Sequence, residues 1–577
     1  MTAIVARNGF VPSVPETVAV VLIAVLPIAY GHQWLSLDGD PGRHIRVGET
    51  ILRTGLFYHD PFSFTRAGAP FIPYEWLSEV MSALSVRLAG LPGLIVVTGA
   101  VLAITYAIVA QTLARRGVAP VVGIPTLLLA MAIGSSHWHA RPHVYTLLGA
   151  ALLIVLIDRA ADPSRTTSPR DVWWAAWPVL PLFACWANLH GGFLYGLFVL
   201  GAVVVGDRVE MLYASGPEVA RWRSVLVRHA AMFGAAVVGP IFTPSGPKLY
   251  LHTLGYLGDT YLVNNTQEYM SPDFHVARFA LIAIVLVTLT LAILPRRPSV
   301  PVLMLVGLNL AFALVAGRNL PLFAIVVLPA IAMELEHAFA VWVPGWAQRL
   351  GRPIPRLQPA RLALGWPAIG IALMVLLARR SGGTAEIPAP ITESHGLFPT
   401  TFNPSAFPVR AVEAARAAGV SGRVFNEFTW GGYMLYAWPE QRVFIDGQTD
   451  FYGDSITREF ADIRGVQPGW RAKLAAWRID LVLIETDSPL SEALAHERGW
   501  TPIHCDSTAV LFRHDESAAP ALGPQAAMSA SCTGLTIPPL PATSQRAGGD
   551  SADESPAVRL LAEPRIAGRA GASRGVG

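Results

Sequence analysis

The chain has 577 residues, 53% of them hydrophobic and 14% charged, and a formal net charge of +3. Soluble globular chains carry about 25% charged residues, so this composition excludes an ordinary soluble enzyme. The near-neutral charge gives no argument for a nucleic-acid partner. With a mean hydropathy of +0.44 and repeated long apolar runs, the chain reads as a polytopic α-helical membrane protein. The cations are nearly all arginine, with Lys248 and Lys473 the exceptions. Cys185, Cys505 and Cys532 lie far apart and make no metal-ligand spacing; Cys505 and Cys532 could pair only if the tail folds back, so no structural disulfide is expected.

A bilayer core takes about 20 apolar residues per helix, which gives roughly eleven spans. They centre near Ala24, Ala100, Leu128, Leu152, Leu180, Val203, Ala235, Leu286, Leu308, Val326 and Ile371. The first, from Val18 to Leu35, reads as a retained signal anchor rather than a cleaved leader, because it lacks a small-residue cleavage pattern.

Between the first two runs lies an outer loop, 37–79, dense in Asp, His, Arg, Glu and aromatics. Asp38 and Asp40 stand where the chain leaves the bilayer. They can cap a helix starting near Pro41, or serve as a general base or cation ligand; the two roles are compatible. His44 falls one helical turn after Asp40 and shares its face. It is either an interfacial polar group or a site residue. His59-Asp60-Pro61-Phe62-Ser63 is a turn signal, with Asp60 as turn former. Glu75 opens an amphipathic interfacial helix carrying Trp76, Val80, Leu84 and Leu88 on one side. It is a second carboxylate for the cleft or a helix N-terminal charge.

Further polar groups cluster at the outer ends of spans: His137, His139, Arg141 and His143; Asn188 and His190; Arg318. Charge at such depth is costly and seldom idle. Guanidinium groups at Arg141 and Arg318 suit a phosphate, with His143, Asn188 and His190 near them as further substrate-binding candidates. His137 and His139, two apart, would point to different sides of a helix and make a poor metal pair. A surface segment rich in Tyr, His and Asn runs from Lys248 to Phe274.

Arginine gathers in alternate loops at Arg7, Arg115–Arg116, Arg159–Arg170, Arg221–Arg228, Arg296–Arg297 and Arg349–Arg361, which marks those loops as cytoplasmic. The 37–79 loop and the C-terminal part are then outside. The domain plan is a transmembrane part over 1–380, a linker over 381–406, a small soluble α/β domain over 407–515 and a disordered tail over 516–577. Strands are expected at Arg423–Phe425, Arg442–Ile445, Asp480–Glu485 and Ala509–Arg513, and helices at Val409–Ala418, Gly431–Ala437, Pro468–Trp477 and Leu490–Arg498.

The pattern D-x-D-x-x-x-H-I-x-x-G-E-x-I-L-x-x-G from Asp38, then H-D-P-F-S-F-T and E-W-L-S-E, resembles the first outer loop of bacterial GT-C-type membrane glycosyltransferases. The resemblance continues through His139-Ala140-Arg141-Pro142-His143, Asn188-Leu189-His190-Gly191-Gly192 and Arg318-Asn319-Leu320-Pro321. It implies a GT-C-like fold and transfer of a sugar from a polyprenyl-phosphate donor to a cell-envelope glycan, lipid or protein acceptor on the outer face of a bacterial inner membrane. It also implies an acidic catalytic or metal-binding residue, by position Asp40 with Asp38 beside it and Glu75 in support. A divalent cation, Mg or Mn, is the cofactor such a site could use. Many relatives have aromatics where this chain has Pro41-Gly42-Arg43. Thr429-Trp430-Gly431-Gly432-Tyr433 and Val443-Phe444-Ile445-Asp446-Gly447 are similar to the W-W-D-Y-G region and following D-G of oligosaccharyltransferase catalytic subunits, without the second Trp and the Asp. Trp430 and Tyr433 are therefore either substrate-binding side chains or packing aromatics. The rival reading is a non-enzymatic scaffold or lipid-linked-sugar transporter of the same fold; a transporter would be expected to bury ionisable groups at mid-span.

Overall fold

A computed structural model describes residues 12–342, 364–381 and 396–520, and Cys532. The helical part contains α1 (Val14–Trp34), α2 (Asp40–Thr54), α3 (Trp76–Arg115), α4 (Pro120–Gly134), α5 (His143–Ala160), α6 (Pro169–Ala176), α7 (Val179–Leu189), α8 (Phe193–Tyr213) and α9 (Pro217–Val238). It continues with α10 (Lys248–Leu257), α11 (Thr260–Asn265), α12 (Ala277–Ile293), α13 (Val300–Val315), α14 (Leu320–Val326), α15 (Leu328–Trp342) and α16 (Gly365–Arg380). Each expected span centre falls inside one of these helices or helix pairs. By length and hydropathy, six described helical segments can cross a membrane, or seven if the pair bent by 48° at Val327 is one span; α12 and α13 are shorter apolar helices. Large apolar side chains stand exposed along α12, with Leu281, Ile284 and Leu291 each about three-fifths exposed. Water would not tolerate that belt, and lipid does. The protein is a membrane protein.

The centre of the bundle is α3, against which α1, α2, α5 and α16 pack. Its helix breaks at Ala89-Gly90, where Gly90 takes φ +64°, a conformation that costs a residue with a Cβ. The break separates a first segment, with Leu84 and Leu88 exposed as an interfacial face requires, from a buried spanning segment.

The C-terminal part holds α17 (Val409–Ala417), β1 (Val424–Asn426), α18 (Gly431–Ala437), α19 (Thr449–Arg464), α20 (Trp470–Ala476), β2 (Leu481–Glu485), α21 (Pro489–Ala495), β3 (Trp500–Cys505) and β4 (Ala509–His514). Sheet order is β1-β2-β4-β3, with β1 parallel to β2 and the other pairs antiparallel. Two expectations fail here, and two elements, α19 and β3, were not anticipated. Arg442–Ile445 is not a strand. Val443 makes single bridges to Val424 and Ser63, while the Asn426 side chain takes the Phe444 N–H at 2.8 Å and donates to the Ile445 carbonyl at 2.9 Å. A side chain thus replaces the ladder. Edge strand β3 tolerates Pro502, which has no N–H to give. The expectation of no disulfide is also corrected: Cys505, at the end of β3, is bonded to Cys532, so the chain does return to the sheet. Residues 521–531 and 533–577 of the predicted tail, most of the linker, Arg7 and Arg349–Arg361 lie outside the described residues.

The first loop sits between the bundle and the sheet. The Val443 N–H donates to the Phe62 carbonyl, the Phe64 N–H to the Val443 carbonyl, and the Thr65 hydroxyl to the Phe444 carbonyl. Asp60 forms the expected turn, accepting from the Phe62 and Ser63 N–H groups. A Cβ on Gly42 would stand 2.5 Å from the Gly432 carbonyl oxygen, and one on Gly432 2.5 Å from that of Gly39. Backbone therefore packs directly on backbone where α2 starts and α18 begins, a fit only glycine permits.

Candidate functional site

Where α1 ends, the Asp38 Oδ1 accepts the Asp40 N–H at 3.0 Å, which turns the chain into α2 and aims both carboxylates the same way. Arg141, in the short loop before α5, meets them. It donates to Asp38 Oδ1 at 2.7 Å, lies 2.7 Å from Asp40 Oδ2 and donates to Glu268 Oε1 at 2.5 Å. Glu268 Oε2 lies 3.9 Å from Arg318 Nη1, whose guanidinium covers the Tyr269 ring at 4.5 Å. Acid and base alternate along this row, drawn from four distant stretches of sequence. Burial pushes the Asp40 carboxyl up to about 7, although Arg141 pulls it down. Burial also acts to raise Glu268, but Arg141 and Arg318 outweigh it and hold that carboxyl at about 2.

A second row starts from the same helix. Arg43 donates to Glu79 Oε1 at 3.3 Å, lies 3.5 Å from Asp446 Oδ1 and also reaches Gln448. The Tyr452 hydroxyl donates to Asp446 at 3.0 Å. His44 Nδ1 lies 3.5 Å from Glu79 Oε1, and burial lowers the affinity of that imidazole for a proton. Glu75 is raised well above the usual carboxylate range by burial and by the neighbouring Glu79. Its Oε1 lies 3.6 Å from His190 Nε2. Trp186 donates to the Thr146 oxygen, leaving the Thr146 hydroxyl proton for His190 Nδ1, which also accepts the Gly192 N–H at 3.0 Å. Nδ1 is therefore the acceptor and Nε2 carries the proton. Burial, with Arg318 nearby, takes His190 down to about 3, so it acts as a neutral donor.

The structure thus brings Asp38, Asp40, Arg141 and Arg318 into one row, and His44, Glu75 and His190 into another beside it. Four expected substrate-binding residues stand apart. The Asn188 amide is engaged by Trp76 Nε1 at 2.5 Å and by the Ala184 and Phe242 carbonyls. Trp430 is buried with its Nε1 donating to the Ala406 carbonyl, and Tyr433 is buried against Phe402 and Phe407. His143 packs on His137, ring centroids 4.6 Å apart, and donates from Nε2 to the His137 carbonyl at 2.8 Å.

Sequence reasoning missed Glu268, Arg43, Glu79 and Asp446. Arg43, Glu79 and Asp446 lie within the motifs quoted above, without a role of their own there. Glu268 carried no signal beyond its place in the Tyr- and Asn-rich surface segment. As a cation ligand, Asp40 has its Oδ2 committed to Arg141. Among the described residues, the group of three ligand-type side chains close enough to share an ion is His44, Glu75 and Glu79.

No family model matches the sequence, and no curated protein matches it. The fold has a solved counterpart. The chain is similar to the archaeal oligosaccharyltransferase AglB from Archaeoglobus fulgidus, solved in complex with an inhibitory peptide and a dolichol-phosphate. The TM-score is 0.51 at 12% identity, over 87% of this chain and 73% of that one. At that identity the likeness is one of fold alone.

Proposed function

We propose that this protein is a membrane glycosyltransferase that moves a hexosyl or pentosyl group from a polyprenyl-phosphate-linked donor to a cell-envelope acceptor, on the outer face of a bacterial inner membrane. The observation that carries the reading is the Asp38/Asp40–Arg141–Glu268–Arg318 row, which gathers beyond the C-terminal end of α1 and before the N-terminal end of α5. Asp40 acts as general base. It takes the acceptor hydroxyl proton as that oxygen bonds to the sugar C1, and the C1–O bond to the lipid phosphate breaks with its electron pair on the phosphate. Arg141 and Arg318 stabilise the departing phosphate by charge-assisted hydrogen bonds. Asp38 holds Arg141 in place, and the neutral His190 offers a single N–H beside Glu75.

The AglB structure, with its dolichol-phosphate and peptide, supports a lipid-linked donor and a separate acceptor as substrate classes. The Cys505–Cys532 disulfide supports an oxidising, extracytoplasmic setting for the sheet. Ionisable groups inside the bundle do not favour a transporter. His229 and Asp207 bond each other at 2.6 Å, and Arg228 is consumed by the carbonyls of Ala160, Asp162, Arg165 and Thr166 near one loop.

The test is incubation of purified protein with a panel of polyprenyl-phosphate sugars, wild type against Asp40→Asn. Donor consumption by the wild type alone is the expected result; no turnover of any donor would sink the reading.

A further inference from the structure

We propose that His44, Glu75 and Glu79 form a binding site for a divalent transition-metal ion, separate from the Asp38/Asp40–Arg141 row. The three ligand atoms, one from each side chain, all lie within 4.8 Å of one another. Bonds of about 2.0–2.2 Å to nitrogen and oxygen put neighbouring ligand atoms somewhat closer than that, so small rotations of these side chains complete the site. The helices bring it about. His44 lies on α2, Glu75 immediately precedes α3, and Glu79 stands one turn into it. Gly48 lets the two helices touch, since a Cβ there would collide with the Glu79 carbonyl.

A second observation points to a ligand. His44 and Glu79 are 6% and 2% exposed, and His44 Nδ1 and Glu79 Oε2 are buried without a hydrogen-bond partner. Leaving such buried atoms unpaired is costly, and a cation between them removes that cost. The surroundings accept positive charge. Arg43 pairs with Asp446 and Gln448 and also shares Glu79 Oε1 at 3.3 Å, which leaves Glu79 Oε2 and the Glu75 carboxylate to balance the ion. His190 presents Nε2–H toward Glu75 and can orient that carboxylate, as outer-shell partners of metal ligands do. An imidazole with two carboxylates suits Mn²⁺ or Zn²⁺ better than Mg²⁺ or Ca²⁺, which prefer oxygen alone.

The experiment strips the purified full-length protein with chelator, then titrates it with Mn²⁺ while following free Mn²⁺ by electron paramagnetic resonance. One bound ion per chain is expected, with coupling to an imidazole nitrogen in the pulsed spectrum of the wild type, a readout that needs no variant. His44→Ala and Glu79→Gln should each weaken binding by at least tenfold, while Asp40→Asn binds as the wild type does. No stoichiometric ion, an ion without nitrogen coupling, or binding lost in Asp40→Asn but kept in His44→Ala overturns the proposal. Because the readout is ion binding, its failure leaves the transferase reading standing, and loss of turnover with binding intact counts against that reading alone.

Discussion

Arg141 Nη2 lies 2.7 Å from Asp40 Oδ2, and the same guanidinium holds Asp38 and Glu268. One cation thus sits among three carboxylates, each of which would repel the others without it. Arg141→Ala should lower stability, by less than the roughly 3–5 kcal/mol lost when a fully buried pair is broken, because the Arg141 side chain is 25% exposed. Arg141→Lys keeps the charge but not the planar fork. It should recover most of the melting temperature while turnover stays low. Thermal unfolding and donor consumption, measured together on both variants, check this; equal recovery of both by lysine would show that the fork has no role in the chemistry.

Asp40→Asn should leave the protein folded, because an amide keeps a hydrogen bond to Arg141 and removes a carboxyl that burial already disfavours. Loss of a general base costs about 10²–10⁴ in rate. Single-turnover measurement on a chemically defined donor reads this, and activity within threefold of wild type would remove Asp40 from the role of base.

The pH dependence has a definite sign. Asp40 titrates at about 7 rather than at its ordinary 3.8, chiefly because it is buried. A base must be ionised, so turnover should climb about tenfold per pH unit below 7 and level off above it. Stability moves the other way. A carboxyl whose folded pKa is raised binds its proton more tightly in the native state, so its contribution is full below the unfolded value near 4 and lost as pH rises through 7. Asp40→Asn should flatten the fall in melting temperature across that window. A melting temperature insensitive to pH in the wild type would show that Asp40 is not held in this environment.

The sequence made some of this legible and hid the rest for physical reasons. Apolar runs announce their helices whatever they pack against, so each expected span centre lies in a helix, while six or seven of the described segments, not eleven, are long and apolar enough to cross a membrane. Asp38, Asp40 and Arg141 stood out because charge between spans is costly. Glu268 did not, since a lone acid on a polar surface segment has no periodicity, and its worth comes from Arg141 and Arg318 meeting there only in the fold. The pairing of His44 with Glu79 depends on two helices touching at Gly48, which spacing along one helix cannot reveal. Arg442–Ile445 has strand-like residues, but Asn426 takes the hydrogen bonds that would make it one.

Gly42 and Gly432 let the start of α2 rest on the first turn of α18. Gly42→Ala or Gly432→Ala places a methyl group against a carbonyl oxygen and should cost about 1–3 kcal/mol by overpacking. The cost falls at the contact that sets Asp40 relative to the sheet. Turnover should therefore drop more than helix content, with circular dichroism unchanged. Wild-type activity in both variants would mean that the contact is slack.

The Cys505–Cys532 bond ties a chain segment 27 residues further on to the end of edge strand β3. Closing a loop of that size contributes on the order of 3 kcal/mol by restricting the unfolded chain, so Cys532→Ser should lower the melting temperature of the sheet, and reduction of the wild type should do the same. The bond also reports compartment. The chain has three cysteines, and with this pair oxidised only Cys185 remains free. Cells quenched in acid and alkylated should therefore show one labelled thiol before reduction and three after it. If Cys505 and Cys532 are both labelled in unreduced cells, the sheet faces a reducing compartment, and the outward orientation of the Asp40 site is wrong.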